Sequence, residues 1–171
     1  YPFALNRVQY PYMANITFDT TGILINHRPA LIQAGTLHYF RLPHPDLWRP
    51  VLQRLRAAGF NTVTLPIPWA YHSPAPGFYD FTGPRDLARL LAEVADAGLW
   101  LIVEAGPWLG AGLDAGGLPS WLLRVPGAWP RTRPDSEAQG DEAQALPLHF
   151  LRYVWEWWSR LAEFFQACET L

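Results

Sequence analysis

The sequence predicts an α/β protein in which about three βα units follow an N-terminal β-hairpin. Three observations predict this class. Short apolar runs alternate along the chain with segments whose apolar residues recur at helical spacing. Turn-forming residues separate these segments. Residues 99–103 form an unbroken apolar run, which is typical of a strand buried on both faces of a parallel sheet. Strands and helices that alternate in this way form right-handed βαβ units.

The first predicted element is a small hairpin over about residues 16–30. Its apolar runs are interrupted at Thr21-Gly22 and again at the polar residues 26–29, where turns are expected. A longer strand is expected to follow over about residues 31–40. The βα units are therefore predicted to occupy about residues 31–171.

The first predicted helix covers residues 44–59, and the second strand covers residues 61–67. Gly59 supplies a helix stop, and Pro50 is compatible with the helix only in its first turn. In the strand, apolar residues alternate with threonine and proline. Pro66 has no N–H to donate, so it is expected at the end of the strand.

A second and a third helix are predicted from further apolar stripes. The second opens at residues 82–84 and ends at Gly98, with an apolar face made of Leu87, Leu90, Leu91, Val94 and Ala97. The third covers residues 148–171. Its predicted apolar stripe contains residues 151, 154, 155, 158, 161, 162 and 165, with the aromatic residues Phe150, Tyr153, Trp157 and Phe164 off it. Between these helices, the Pro-rich residues 126–147 are predicted to form an extended surface loop.

Composition narrows the range of partners. The net charge is -2 and no run of Lys or Arg occurs, so neither a nucleic acid nor a membrane is expected as a partner, and a neutral substrate fits better. The single Cys168 cannot form an internal disulfide and favours a reducing compartment such as the cytoplasm. The chain begins at Tyr1, and its last residues lack a helix stop signal, so both ends are expected to be cut.

The sequence contains no motif typical of a metal site, a phosphate-binding loop or a serine nucleophile. The five histidines are scattered and have no ligand partner at helical spacing, so no metal site is predicted. The Gly-rich segment 106–117 lacks the ending of a phosphate-binding loop, and no cofactor is predicted. Ser120 lacks the Gly-x-Ser-x-Gly context of a hydrolase nucleophile.

The candidate binding residues follow the predicted strands. Because the carboxyl ends of parallel strands open on one face, the side chains just after them are expected to line a ligand site. Aromatic rings among arginine and carboxylate side chains suit a neutral polyhydroxyl ligand. The candidates are Tyr39, Arg41, Trp69, Glu104, Trp108 and Asp114. Two alternatives stay open: the tryptophans are core fillers, or Arg41 pairs structurally with Glu104 or Asp114.

Four segments of the sequence carry longer motifs, which are HYFRLP at 38–43, LQRLRAAGFNTV at 52–63, PAPGFYDFTGPRDL at 74–87, and GP at 106–107 followed by DAGGLPSWLL at 114–123. In this order and spacing they resemble the N-terminal part of the catalytic barrel of family 35 glycoside hydrolases, the β-galactosidases. The likeness covers most of the chain from about residue 16 onward.

The resemblance implies a (β/α)8 TIM barrel that cleaves terminal β-galactosides with retention by means of two glutamates. In the family, the acid/base lies in an Asn-Glu pair at the end of the fourth strand, and the nucleophile lies later. Neither glutamate motif occurs in this sequence, so no catalytic residue is assigned. A complete barrel needs about 250 residues. Residues 1–171 are therefore expected to form an incomplete barrel domain.

Three positions depart from the family pattern. Where the family has Tyr-Val-Pro-Trp-Asn, this chain has Pro66 in place of the galactose-contacting Tyr and Ala70 in place of Asn. The glutamate that binds sugar hydroxyls is replaced by Gly112. Each change removes directed hydrogen bonds that an apolar substitute cannot make, so the resemblance implies either a drifted specificity or a decayed site.

The expected function is that of a β-galactosidase-like glycosidase fragment that is inactive by itself. The alternative is a non-catalytic carbohydrate-binding or interaction module that keeps the strand-end residues without hydrolysis. A carbohydrate is the expected ligand in both cases. Because an open barrel leaves strand edges unpaired, self-association or a complementary barrel half is also expected.

Overall fold

A computed structural model describes residues 15–20, 22–126, 128 and 148–169. These described residues fall into two compact units. The first unit comprises the described parts of Tyr1–Leu65, Asp86–Val103 and Cys168–Leu171. The second comprises the described parts of Pro66–Arg85 and Glu104–Ala167.

The predicted hairpin segment forms a small antiparallel sheet in the first unit. Strand β1 (Ile16–Phe18) pairs with β2 (Ile23–Ile25), and β2 also pairs with β3 (Arg28–Pro29), which was not predicted. The two residues between β2 and β3, Asn26 and His27, have φ angles of 51° and 62°. Positive φ at both central residues is the geometry of the tight turn that fits the twist of a hairpin.

The second sheet is parallel and has the predicted strand order. Strand β4 (Ala34–Thr36) pairs in parallel with β5 (Thr62–Pro66), and β6 (Trp100–Glu104) lies on the other side of β5. The amide of Trp100 donates to Asn61 O at 2.8 Å, and the amide of Ile67 donates to Glu104 O at 2.9 Å. Since both bonds join corresponding ends of the two strands, β5 and β6 run in the same direction.

Strand β4 is shorter than the predicted strand over residues 31–40. Its early part is replaced by a side-chain clamp, in which Asn61 Oδ1 accepts from the Gln33 amide at 2.9 Å and Asn61 Nδ2 donates to Leu31 O at 2.6 Å. Its late part turns into a single 3-10 turn at Tyr39–Arg41. Side-chain hydrogen bonds and a tight turn therefore satisfy backbone groups that the prediction assigned to the ladder.

The prediction that the strand over residues 99–103 is buried on both faces is wrong. All five residues of β5 are buried, whereas in β6 Trp100 is 38% exposed and Ile102 is 41% exposed. Strand β5 lies in the centre of the described sheet, and β6 lies at its edge. The prediction about Pro66 is confirmed, since this residue closes β5.

Helices α1 (Trp48–Ala57) and α3 (Leu87–Asp96) pack together in the first unit. Pro50 lies in the first turn of α1, as predicted. Helix α3 begins later than predicted, because residues 83–85 form a 3-10 turn and Asp86 caps the helix by accepting from the Arg89 amide at 2.9 Å. Its buried residues are four of the five predicted, Leu87, Leu90, Leu91 and Val94, whereas Ala97 is half-buried and follows the end of the helix.

The second unit contains the short helix α2 (Trp69–His72) and, up to Ala167, the long helix α4 (Leu148–Glu169). The predicted apolar stripe of α4 is buried only in part: Val154 and Leu161 are buried, whereas Trp155 is 66% exposed and Trp158 is 39% exposed. The buried face contains Phe150, Val154, Trp157 and Leu161. Both stripes have helical spacing, and the aromatic residues of the second unit decide which one is covered.

The last two points concern the predicted surface loop over residues 126–147 and the length of the helices. Residues 127 and 129–147, which make up nearly all of the predicted surface loop, lie outside the described residues. Among the helices of the described ranges, none combines the length and the hydropathy needed to cross a bilayer.

Candidate functional site

The six predicted binding residues divide between the two units. Tyr39 and Arg41 lie in the first unit, shortly after the end of β4. The second unit contains the other four, with Trp69 following β5 and Glu104 ending β6. Trp108 and Asp114 follow in the segment after β6.

In the first unit, only one of the two candidates is accessible. Tyr39 is 1% exposed, and its ring packs edge-on against Trp48 with centroids 6.1 Å apart. Arg41 is exposed, and its guanidinium lies 5.8 Å from the centroid of the Phe40 ring. Tyr39 is thus a core residue in this arrangement, whereas Arg41 can reach a ligand.

In the second unit, Trp69 belongs to a buried aromatic cluster. It is 1% exposed, stacks on Trp157 with ring planes 7° from parallel, and meets Trp121 edge-on at 6.0 Å. Its indole N–H is buried and has no hydrogen-bond acceptor within the part of the chain that the structure describes. Trp69 therefore packs the cluster here instead of offering a ring face to a ligand.

The same cluster contains a buried histidine. His72 is fully buried, stacks on Phe81 with centroids 5.0 Å apart, and donates Nδ1–H to Asp80 O at 2.8 Å. Burial lowers the pKa of His72 to about 4, because the charged ring would lose its hydration. Asp80 in turn pairs with Arg85 at 3.1 Å. His72 is thus neutral near pH 7 and holds the loop after α2 in place.

Helix α4 is tied to this cluster by hydrogen bonds that no sequence pattern indicated. Trp157 donates its indole N–H to Ala105 O at 2.8 Å, directly after β6. Tyr79 donates its hydroxyl to Glu156 at 3.1 Å. Burial, and next the charge of Glu156, raise the pKa of the Tyr79 hydroxyl. The segment that follows β6 is consequently anchored at its start.

Trp108 is the exposed aromatic ring among the four candidates of the second unit. It is 57% exposed, and its inner face lies against the backbone of Gly116. A Cβ atom added at Gly116 would lie 2.1 Å from Cε3 of Trp108, and Gly116 has a φ angle of 65°. The Leu109 amide donates to Gly116 O at 2.8 Å. Gly116 therefore fixes the ring, and sequence reasoning missed this role.

Two exposed carboxylates occur in the same segment. Within the described residues of the second unit, neither Glu104 nor Asp114 forms a side-chain hydrogen bond or an ion pair. Their oxygens are free to accept hydrogen bonds from a ligand.

No candidate metal site occurs in the described ranges, which contain no group of three His, Cys, Asp or Glu side chains placed to hold an ion.

The amino-acid sequence is similar to those of several proteins named as β-galactosidases or as β-galactosidase-like proteins. Over 109 residues the chain is 45% identical to the mouse "Beta-galactosidase-1-like protein", covering 64% of this chain and 17% of that relative. It is 45% identical over 101 residues to the human "Beta-galactosidase-1-like protein 2", covering 59% of this chain and 16% of the relative. It is 39% identical over 118 residues to "Probable beta-galactosidase C" of Aspergillus niger, covering 68% of this chain and 12% of that protein.

The chain thus spans less than a fifth of the length of these relatives. The sequence pattern of the family described as "Glycosyl hydrolases family 35" matches residues 22–142, which is most of the chain. This range includes all four motif segments and all six candidate residues. The chain therefore belongs to glycoside hydrolase family 35, whose catalytic domain is a TIM barrel and whose members act on carbohydrates.

Proposed function

We propose that this chain is the N-terminal part of the catalytic (β/α)8 barrel of a β-galactosidase-like glycoside hydrolase. On this proposal, residues 1–171 form an incomplete barrel domain with about three βα units. Support comes from the parallel order of β4, β5 and β6, with α1 between the first two strands and α3 between the last two. The names of the relatives, which include "Probable beta-galactosidase C", support the proposed substrate class, terminal β-galactosides or related glycosides.

The observation that carries the sugar site is the fixed, half-exposed ring of Trp108. An aromatic ring offers an apolar, polarisable face to the C–H groups of a pyranose, and Gly116 holds this ring so that its outer face stays open. The unpaired carboxylates of Glu104 and Asp114 can accept hydrogen bonds from sugar hydroxyls. We assign the sugar contacts to Trp108, Glu104 and Asp114 of the second unit. The buried Tyr39 and Trp69 then act as supporting residues.

Hydrolysis by this chain alone is not expected. Retaining glycosidases need two carboxyl groups about 5 Å apart on either side of the scissile bond. The sequence lacks the Asn-Glu motif that carries the family's acid/base, and it lacks the nucleophile motif. Binding without turnover is therefore the expected behaviour. The remainder of the catalytic machinery must come from a complementary barrel half.

The experiment measures binding and turnover on the same preparation. Methyl β-D-galactoside is titrated by ligand-observed NMR, and release of 4-nitrophenol from the aryl β-galactoside is followed in parallel. Binding is expected in the wild-type chain and is expected to fall at least tenfold in Trp108→Ala, which is about 1.4 kcal/mol. Trp155→Ala removes another exposed tryptophan, from α4, and is expected to bind normally.

Two results would overturn parts of the proposal. Unchanged binding in Trp108→Ala would remove the assigned site. Turnover that survives purification and increases linearly with chain concentration would show that the chain is catalytic without a second half. Binding without turnover even after co-expression with the remaining barrel half of a family 35 enzyme would favour the non-catalytic carbohydrate-binding module.

The exposed edge strand of the parallel sheet supports the proposal that a complementary barrel half, or a second copy of the chain, binds there. Trp100 and Ile102 are large apolar residues on β6, and both are more than a third exposed. Strand edges of this kind pair with further strands. A complementary barrel half would cover this edge, and in its absence a second copy of the chain is the expected occupant.

A further inference from the structure

Helix α4 contacts the segment of the second unit that carries the proposed sugar contacts. Trp157 of this helix donates its indole N–H to Ala105 O at 2.8 Å, and Trp108 follows three positions after Ala105. Helix α4 begins at Leu148, whereas the sequence pattern of the family matches residues 22–142. The contact is therefore made by a part of the chain whose role the family match does not describe.

The ring of Trp157 is itself held in place by other aromatic rings. Trp157 is fully buried, stacks on Trp69, and lies 6.1 Å from the Tyr79 ring with the two planes 17° apart. Tyr79 also bonds to Glu156, the neighbour of Trp157 in the helix. A close-packed ring of this kind has one orientation, so its N–H group points to a fixed place. It can hold the Ala105 carbonyl without losing further side-chain entropy.

The chain between Ala105 and Trp108 is short and turns tightly. Gly106 has a φ angle of 73°, and a Cβ atom added there would lie 3.4 Å from the backbone nitrogen of Trp108. A left-handed conformation with so little space suits glycine alone among the common residues. Because so few residues separate the two positions, a displacement of the Ala105 carbonyl also moves the backbone of Trp108.

The backbone against which the Trp108 ring lies is left-handed at consecutive residues. The φ angle is 48° at Ala115 and 65° at Gly116. This conformation is unfavourable for alanine, and it persists only where the surrounding contacts enforce it. One such contact is the hydrogen bond from the Leu109 amide to Gly116 O. Since this bond begins one residue after Trp108, the ring and its support stay aligned only while the segment from Ala105 onward is held.

We propose that Trp157 is a positioning residue for the galactoside site, on which it acts through the Ala105 carbonyl without touching the sugar. This inference rests on the proposed binding of galactosides at Trp108. Glu104, which also contacts the sugar on that proposal, directly precedes Ala105. The indole N–H of Trp157 thus fixes the backbone between the carboxylate and the aromatic ring. Loss of this N–H group alone weakens galactoside binding, even where an aromatic ring remains in the cluster.

The test removes one indole hydrogen bond from each of two tryptophans of the same aromatic cluster. Trp157→Phe loses the bond to Ala105 O and keeps an aromatic ring against Trp69. Trp121→Phe is the matched control, because the Trp121 indole N–H donates to Ser73 O at the same distance of 2.8 Å. The urea midpoint is expected to fall in both variants. Methyl β-D-galactoside is expected to bind about fivefold more weakly in Trp157→Phe, as for the loss of one hydrogen bond, and normally in Trp121→Phe.

Two spectroscopic measurements separate positioning from a general loss of stability. The tryptophans are labelled with 5-fluorotryptophan, and the fluorine resonance of Trp108 is assigned with Trp108→Phe. This resonance is expected to shift in Trp157→Phe and to stay unchanged in Trp121→Phe. In the wild-type chain, saturating galactoside is expected to slow hydrogen exchange of the Trp157 indole N–H and not that of Trp121, because coupling between two sites is reciprocal.

The failure of this inference is distinguishable from the failure of the proposed function. A wild-type chain that binds no galactoside contradicts the proposed function, and the fluorine resonance of Trp108 then decides the positioning role. If Trp157→Phe does not fold, hydrogen exchange in the wild-type chain decides it. Equal weakening of galactoside binding in both variants, an unchanged Trp108 resonance in Trp157→Phe, or exchange at Trp157 that galactoside does not slow would overturn the proposal.

Discussion

Trp157 stacks on Trp69, with their ring centroids 6.0 Å apart and their planes 7° from parallel. This pair joins helix α4 to the residue that follows strand β5. The indole N–H of Trp157 is bonded at the same time to Ala105 O, after β6. One side chain thus connects three segments of the second unit that are distant in the sequence.

Replacing Trp157 with alanine should destabilise the chain strongly. The side chain is fully buried, and its loss leaves a cavity and an unsatisfied carbonyl at Ala105. A loss of about 3–5 kcal/mol in the free energy of unfolding is expected, as for other buried aromatic residues. Urea denaturation measures it. Trp155→Ala, which removes a ring 66% exposed, should change stability by less than about 0.5 kcal/mol. Equal losses in both variants would contradict the burial of Trp157.

Stability should decrease as the pH falls from about 6.5 to about 4, because His72 is held neutral in the folded state. The pKa of His72 is depressed by burial, so the unfolded chain binds the proton first. The stabilisation is therefore fully present above pH 6.5 and is lost as the pH falls to about 4. The pKa difference corresponds to about 3 kcal/mol.

His72→Gln tests this pH dependence, since glutamine keeps a hydrogen-bond donor but does not titrate. Denaturation at pH 7 and at pH 4.5 is compared for the wild type, for this variant and for His149→Gln, which changes an exposed histidine. The pH-dependent loss should be smaller in His72→Gln alone. An unchanged pH dependence in that variant would show that other groups cause the loss.

Gly116→Ala should disturb the segment that holds Trp108. The added Cβ meets the ring, and the φ angle of 65° is unfavourable for alanine. A loss of about 2 kcal/mol is expected, together with weaker galactoside binding. Gly112→Ala is the matched control, because nothing lies within 4 Å of its Cβ position and its φ angle is not positive. Normal galactoside binding in Gly116→Ala would show that the ring does not need this support.

Asn61→Ala should destabilise the start of the parallel sheet. The substitution removes the acceptor for the Gln33 amide and the donor to Leu31 O. A loss of about 2–3 kcal/mol is expected from these two hydrogen bonds. Asn61→Asp keeps the acceptor for the Gln33 amide, but it places a carboxylate oxygen against Leu31 O, where two acceptors repel, so its loss should be at least as large. Thermal and urea denaturation measure both variants, and wild-type stability of Asn61→Ala would show that these hydrogen bonds contribute little.

Ile102→Lys should reduce self-association of the isolated chain. Ile102 is 41% exposed on the edge strand β6, and lysine on a strand edge opposes pairing with a further strand. Light scattering over a concentration series should show association in the wild type and less of it in the variant. Leu47→Lys, at another exposed apolar residue of the first unit, is the control. A monodisperse wild-type monomer at all concentrations would contradict the proposed edge contact.

The sequence by itself predicted the features that depend on local spacing and on residues with restricted backbones. The order of three parallel strands followed from apolar runs separated by two helical stripes. Pro50 in the first turn of α1 and Pro66 at the end of β5 were placed correctly, because proline lacks an N–H and tolerates few other positions. The family motifs were also visible, because they lie in continuous segments.

Tertiary structure alone decided which faces are covered. Helix α4 has apolar residues around most of its circumference, and only packing against Trp69 and its neighbours selects Trp157 for burial over Trp155 and Trp158. The same holds for β6, which reads as a buried strand but lies at the edge of the described sheet. Among the candidate site residues, Tyr39 and Trp69 are buried while Trp108 is exposed. Periodicity fixes spacing within one element, whereas burial depends on neighbours that are distant in the chain.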